Sequence, residues 1–193
     1  MKPEDRSWYD QMICERHARG DMDGAATAAI RGYGREIMGF LAGRVRDEDA
    51  AKEIFLQFSE ALWKGIEGFE GRNGASFRTW AYILARNAIN RYFRNPDQRR
   101  DHTTLSKVAE VADEIRSMTS VIFERHRNEA LYKITERLDD DERELLILRA
   151  VEEMPFSQIA AILDTTEAAA KMRFGRLKEK MRAMARQEGL AHD

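Results

Sequence analysis

Residues 76–94, SFRTWAYILARNAINRYFR, hold four arginines, five aromatic rings and two asparagines, and no Asp or Glu. That set of side chains binds rather than reacts. Cations track phosphates, rings stack on unpaired bases and amides read base edges, so the stretch suits a single nucleic-acid strand. Phe77, Trp80, Ala81, Leu84, Ala88 and Tyr92 recur at three- and four-residue steps, which predicts a helix with one apolar side. The other side carries Thr79, Tyr82, Arg86, Asn87, Asn90, Phe93 and Arg94. Read alone, the stretch fits equally well a helix buried on one side and basic on the other.

A second segment tips the balance. Residues 155–182 read as a short helix, a turn of about three residues and a longer basic helix, the order of a helix-turn-helix. In that geometry the first residues of the second helix face base edges in the major groove, so small or polar types are expected there. They are Thr165, Thr166, Glu167, Ala168 and Ala169. Lys171, Arg173, Arg176 and Lys178 follow, within reach of bases or flanking phosphates. An ordinary helical hairpin with a solvated basic face would share the basic run, but not the turn and the small residues together with it.

The elements that must position these residues are all helical in pattern. Residues 1–20 are polar, with Trp8, Tyr9, Met12 and Ile13 as helix anchors. A helix over 21–43 follows, then a charged turn at 44–49. Asp49 caps a helix over 50–66 that carries Ile54, Phe55, Phe58, Leu62 and Trp63, more large apolar residues than one stripe needs. The glycine-rich 67–75 is a loop, Ser76 caps the arginine-rich helix, and Asn95-Pro96 stops it. Residues 96–120 are polar and read as a linker with room for a short helix over 105–115. Helices are predicted over 122–138 and 142–153, the latter with Leu145, Leu146, Leu148 and Val151 inside and Asp139–Asp141 at its start. Pro155 suits the first turn of the next helix. The last helix should bury Ala170, Phe174, Leu177 and Met181.

Charge is patterned rather than abundant. The net charge is -2, yet residues 72–100 hold seven arginines and one acid, and 166–186 hold seven Lys or Arg and two acids. Acidic blocks lie before them at 47–70 and between them at 136–153, which suggests two local polyanion contacts. The chain has 193 residues, 43% hydrophobic and 34% charged, enough for one domain or two small ones. One cysteine, Cys14, forms no internal disulfide and suits a reducing compartment. Cys14 and His17 have a C-x-x-H spacing without a partner pair, which packing explains better than a metal. No apolar run approaches the roughly 20 residues that span a bilayer, and the charged N-terminus lacks a signal core, so a cytoplasmic location is expected. The four histidines lie in no catalytic spacing and no phosphate-binding glycine loop follows a strand, so an enzyme is not expected.

The two motifs, in this order and spacing, resemble the bacterial RNA polymerase sigma factors of the sigma-70 family, in the small two-domain extracytoplasmic-function (ECF) class. ASFRTWAYILARNAINRYFR is similar to the promoter-melting segment of conserved region 2. LDDDERELLILRAVEEMPFSQIAAIL followed by AAAKMRFGRLKEKMR is similar to region 4. The turn carries Asp164 where the family usually has Gly, and Thr165 where an aliphatic residue is usual. The resemblance implies an all-α chain of two small helical domains, 1–95 and 121–193, joined by a flexible linker at 96–120. It implies a non-catalytic subunit that binds core RNA polymerase at its clamp and flap, promoter DNA, and an anti-sigma factor, with no cofactor and no membrane insertion. On this sequence the −10 strand would be captured by 71–79 with Arg78, Thr79, Trp80, Tyr82, Arg86, Asn87, Asn90 and Arg94. The −35 duplex would be read by Thr165, Thr166, Glu167, Ala168, Ala169, Lys171, Arg173, Arg176 and Lys178. Clamp contacts would come from Ile54, Phe58, Leu62 and Trp63. The alternative is a helix-turn-helix regulator or adaptor that is not a sigma factor, which would not replace sigma in promoter-specific transcription.

Overall fold

A computed structural model describes residues 3–69, 76–94, 106–117 and 135–187. The expected helix over 122–138, the loop residues 71–75 and the Asn95-Pro96 stop lie wholly or largely outside these residues. Every regular element described is helical, and the chain divides into two compact units, 1–123 and 124–193.

The first unit is built around α2 (Met22–Val45), which α1 (Pro3–Ala18), α3 (Glu48–Gly65), α4 (Phe77–Arg94) and α5 (Ser106–Ser117) all touch. Small residues make α2 thin enough for four neighbours. A Cβ at Gly32 would sit 2.6 Å from the ring of Tyr9, so α1 lies directly on the α2 backbone. Tyr33 donates a hydrogen bond to Asp10 of α1 at 2.5 Å. Burial first, and the Asp10 carboxylate next, push the Tyr33 phenol well above its usual range. At the end of α1, His17 donates from Nε2 to the Glu67 carbonyl at 3.2 Å, so packing takes up this histidine.

Helix α3 starts two residues earlier than its charge pattern suggests. Asp47, not Asp49, is the cap: its carboxylate accepts from the Ala50 N–H at 2.7 Å, and Asp49 stands in the first turn. The surplus of apolar residues on α3 has a structural cause. Ile54, Phe55, Phe58 and Leu62 are all 0% exposed. They are spread over a face wide enough to meet α2, α4 and α5 at once.

Helix α5 falls where the sequence left room for a short helix within 96–120, but it is packed onto the first unit. Val111, Ala112 and Ile115 are buried, at the one- and four-residue steps of a helix face, and they dock against α2 and α3. Gly34 makes room for them. A Cβ there would lie 3.2 Å from Ile115 Cγ1 and 3.3 Å from Phe55 Cζ. Gly34→Leu should therefore push α5 off the unit, with a loss of about 1–3 kcal/mol from overpacking. Faster amide exchange across 106–117, with a lowered urea midpoint, is the expected readout; unchanged exchange would show that α5 does not depend on this seat.

In the second unit α6 (Asp140–Leu146) follows a described turn at 135–138. Asp139 and Glu142 form a reciprocal capping box at 2.8 and 3.1 Å. The helix then widens into a π turn, Ile147–Val151, in which Glu152 N–H bonds the Ile147 carbonyl, five residues back. Leu145, Leu146 and Leu148 are buried as expected, but Val151 is 43% exposed, because the wider turn rotates it off the inner face. Pro155 is the cap of α7 (Phe156–Ile162) rather than its first helical residue. After the turn, α8 (Glu167–Gln187) buries Ala170 and Leu177 fully, and Phe174 and Met181 half. Lys180 of α8 bonds both carboxylate oxygens of Glu142, at 2.5 and 2.7 Å, and ties α8 to the start of α6.

Candidate nucleic-acid interface

Helix α4 is rotated relative to the expectation from its apolar periodicity. Its buried face is Phe77, Arg78, Thr79, Ala81, Tyr82, Ala85, Ala88 and Ile89. Arg78, Thr79 and Tyr82, expected at the strand surface, are therefore interior. The cause is Glu36 of α2. Its Oε1 accepts from Arg78 Nε at 2.5 Å and from the Tyr82 hydroxyl at 3.0 Å. The Arg78 guanidinium lies over the Tyr82 ring, 5.7 Å from its centre, and Tyr82 packs edge-on to Phe40 at 5.1 Å. A carboxylate inside the unit thus draws the polar side of the helix inward. Thr79 is held by Ser76, whose hydroxyl also accepts from the Thr79 N–H at 3.2 Å and so caps the helix start.

The rotation brings a different line to the outside. Asn87, Asn90, Arg91 and Arg94 are exposed, and Trp80, Ile83, Leu84 and Arg86 are half-buried. Trp80, Ile83, Leu84, Asn87, Asn90, Arg91 and Arg94 follow helical spacing and share one stripe. Trp80, expected on the apolar side, heads this stripe. Its ring rests on Phe69 at 5.1 Å and on Phe77 at 5.3 Å, so it is braced from behind. Arg91 was not singled out from the sequence, although the stripe that includes Asn87 contains it. Phe93 is 55% exposed and lies away from that stripe, against Tyr92.

The expected clamp residues fare similarly. Ile54, Phe58 and Leu62 are core residues with no exposed surface. Trp63 is half-buried, and its indole N–H donates to Asp23 of α2 at 2.7 Å. The outward line of α3 is Asp49, Lys52, Glu53, Leu56 and Glu60. Lys52 is paired with Glu48 at 2.8 Å, and that hydrogen bond raises its pKa, so the lysine does not reverse the acidic character of the line.

In the second unit the turn has the geometry that its sequence allows. Asp164 adopts a left-handed φ of 51°, a conformation in which Asp replaces Gly at modest cost. Thr165 N–H bonds the Ala160 carbonyl at 2.9 Å, closing the turn, and is half-buried. Thr166 caps α8 by accepting from the Ala169 N–H at 3.2 Å. Thr166, Glu167, Ala168, Lys171, Arg173, Arg176 and Lys178 are exposed, and Ala169 is half-buried. Glu167 pairs with Lys171 at 2.6 Å, and Lys178 Nζ stands 5.7 Å over the Phe174 ring. Phe174 in turn meets Phe156 edge-on at 5.7 Å, which fixes the angle between α7 and α8.

Comparison with known families matches both of these segments. The family model described as Sigma-70 region 2 matches residues 29–100, and that described as Sigma-70, region 4 matches residues 128–181. The chain belongs to the sigma-70 family. Its relatives include the ECF RNA polymerase sigma-E factors of Salmonella typhimurium and of Escherichia coli (strain K12). Each is 23% identical, with 88% of this chain and 91% of the relative covered. The RNA polymerase sigma factor YlaC of Bacillus subtilis (strain 168) is 27% identical, with 69% of this chain and 76% of the relative covered. These relatives put this sigma factor in the ECF class, and as a member it directs promoter-specific initiation of transcription. A helix-turn-helix regulator or adaptor outside the family is thereby set aside. Helices α1 and α5 lie outside both matched segments of this sigma factor. Among the described residues no helix is long and apolar enough to cross a membrane.

Proposed function

We propose that the first unit captures the unpaired strand of the −10 element and the second reads the −35 duplex, while core RNA polymerase supplies all catalytic groups. The observation that carries this reading is the pairing of two unlike surfaces on one chain. The α4 stripe offers a braced indole, two carboxamides and two arginines with no carboxylate, which suits splayed bases on a phosphate backbone. In it Trp80 stacks, Asn87 and Asn90 hydrogen-bond base edges, and Arg91 and Arg94 meet phosphates. Arg86 stands beside them. The α8 surface is a helix whose front opens on the uncharged Ala168, Met172 and Gly175 with exposed cations on both sides, which suits a groove between two phosphate chains.

The clamp contact is assigned to the outward line of α3, with Leu56 as its apolar centre, Glu53 and Glu60 as charges that meet basic groups, and Trp63 at its end. The second unit meets the flap. An anti-sigma factor and a cytoplasmic site of action complete the reading.

The test is run-off transcription with core polymerase on promoter fragments selected by the holoenzyme. Arg176 adjoins the front of α8, and Arg173 stands further round towards the body of the unit. Arg176→Ala is expected to relax base preference by about 1–3 kcal/mol if its contact is a bidentate one to guanine. Arg173→Ala is expected to weaken all upstream sequences alike and to lower the salt slope by about one, as for a lost phosphate contact. Parental activity and preference in both variants would overturn the assignment of α8.

A further inference from the structure

The front of α8 differs in kind from its sides. Ala168, Met172, Gly175 and Glu179 stand at four- and three-residue steps, on the opposite side of the helix from Ala170 and Leu177, which are buried. Met172 is 54% exposed. A Cβ at Gly175 would meet nothing within 4 Å. Packing among the described residues requires neither residue. A glycine in mid-helix costs about 1 kcal/mol against alanine, and a large apolar side chain on the outermost line is left in water. Both features make sense together if the helix backbone comes close to a surface that carries an apolar spot. Gly175 permits the approach, and Met172, one turn earlier, reaches the spot. Arg176 Nη2 lies 3.7 Å from the Met172 sulfur, a weak contact that holds the thioether along the front of the helix. Lys171 on one flank and Arg173 on the other match two phosphate chains better than a protein surface. In the major groove the apolar feature of a base edge is the C5-methyl group of thymine.

We propose that Met172 is a specificity-determining residue of the duplex reader, whose side chain packs on the C5-methyl of one thymine in the upstream element. This rests on the reading of α8 as the −35 reader. The ammonium of Lys171 and the guanidinium of Arg176 seek acceptors, which leaves Met172 as the apolar side chain of this surface that suits a methyl group.

The experiment uses holoenzyme reconstituted from the full chain and core polymerase. Promoter fragments randomised over the upstream element are selected for binding, and each thymine of the selected duplex is then replaced singly by deoxyuridine, which removes only the methyl group. The expected result is one position at which deoxyuridine weakens binding about fourfold, the worth of one buried carbon at ~0.8 kcal/mol. Met172→Leu should keep that penalty. Met172→Gln, equally exposed and of similar length, should bind thymine and deoxyuridine alike. The proposal is overturned if no selected thymine responds to the replacement, or if Met172→Gln keeps the full penalty while Arg176→Ala alters base preference. If Met172→Gln and Arg176→Ala both select the parental element with the parental penalty, α8 is not the reader, and the function assigned to it falls as well.

Discussion

Glu36→Ala is expected to destabilise the first unit by about 3–5 kcal/mol, the usual loss when one member of a buried ion pair is removed. The Arg78 and Glu36 side chains are only 10% and 8% exposed, and the same carboxylate oxygen accepts from Tyr82, which has no exposed surface. The substitution leaves a buried guanidinium facing a cavity and takes the acceptor from a buried hydroxyl, so two costs fall on one position. Glu36→Gln should lose less, because the amide oxygen still accepts from Tyr82 while the charge is gone. The urea transition of the full chain, followed by far-UV circular dichroism, measures both. A Glu36→Ala midpoint equal to the parental one would show that water enters the site and that the triad does not set the rotation of α4.

The second large effect is expected in promoter opening. Trp80→Ala should lower the yield of open complex by about thirtyfold, the middle of the roughly 1–3 kcal/mol that a stacked base contributes, and leave binding to closed duplex nearly unchanged. Because Trp80 also packs on Phe69 and Phe77, the variant needs a folding control. Asn87→Ala supplies a cleaner partner, since Asn87 is exposed and its loss should cost the fold little. Permanganate reactivity of the melted strand in reconstituted holoenzyme is the measurement. Parental reactivity in both variants would remove α4 from strand capture. Tyr82→Phe serves as a contrast: it should lower stability through the lost bond to Glu36, and alter opening only as far as the unit unfolds.

The sequence by itself determined that the chain is helical throughout its described elements, that two basic segments stand apart on an acidic background, and that Ser76 and Asp139 start helices. These are local properties. They follow from periodicity, from the short reach of capping side chains and from the absence of acids over 76–94, and tertiary packing had no reason to overturn them. The left-handed Asp164 belongs with them, because the three-residue turn needs that backbone whatever surrounds it.

Which face of each helix is inside was decided only by the tertiary structure. Periodicity counts apolar residues, and α4 buries a polar group of Arg78, Thr79 and Tyr82 because one carboxylate from a helix 42 residues earlier in the chain satisfies two of them. No local signal marks Glu36 as that partner. The same is true of α3 and α5. The apolar excess on α3 fitted tight packing better than a surface for another protein, and the 96–120 stretch read as a linker with room for a short helix, and each is explained by the other: α5 lays Val111, Ala112 and Ile115 over Gly34 and the Phe55 side of α3. A surplus of buried area in one helix is met by a short apolar stripe far along the chain, and only the folded unit brings the two within contact distance.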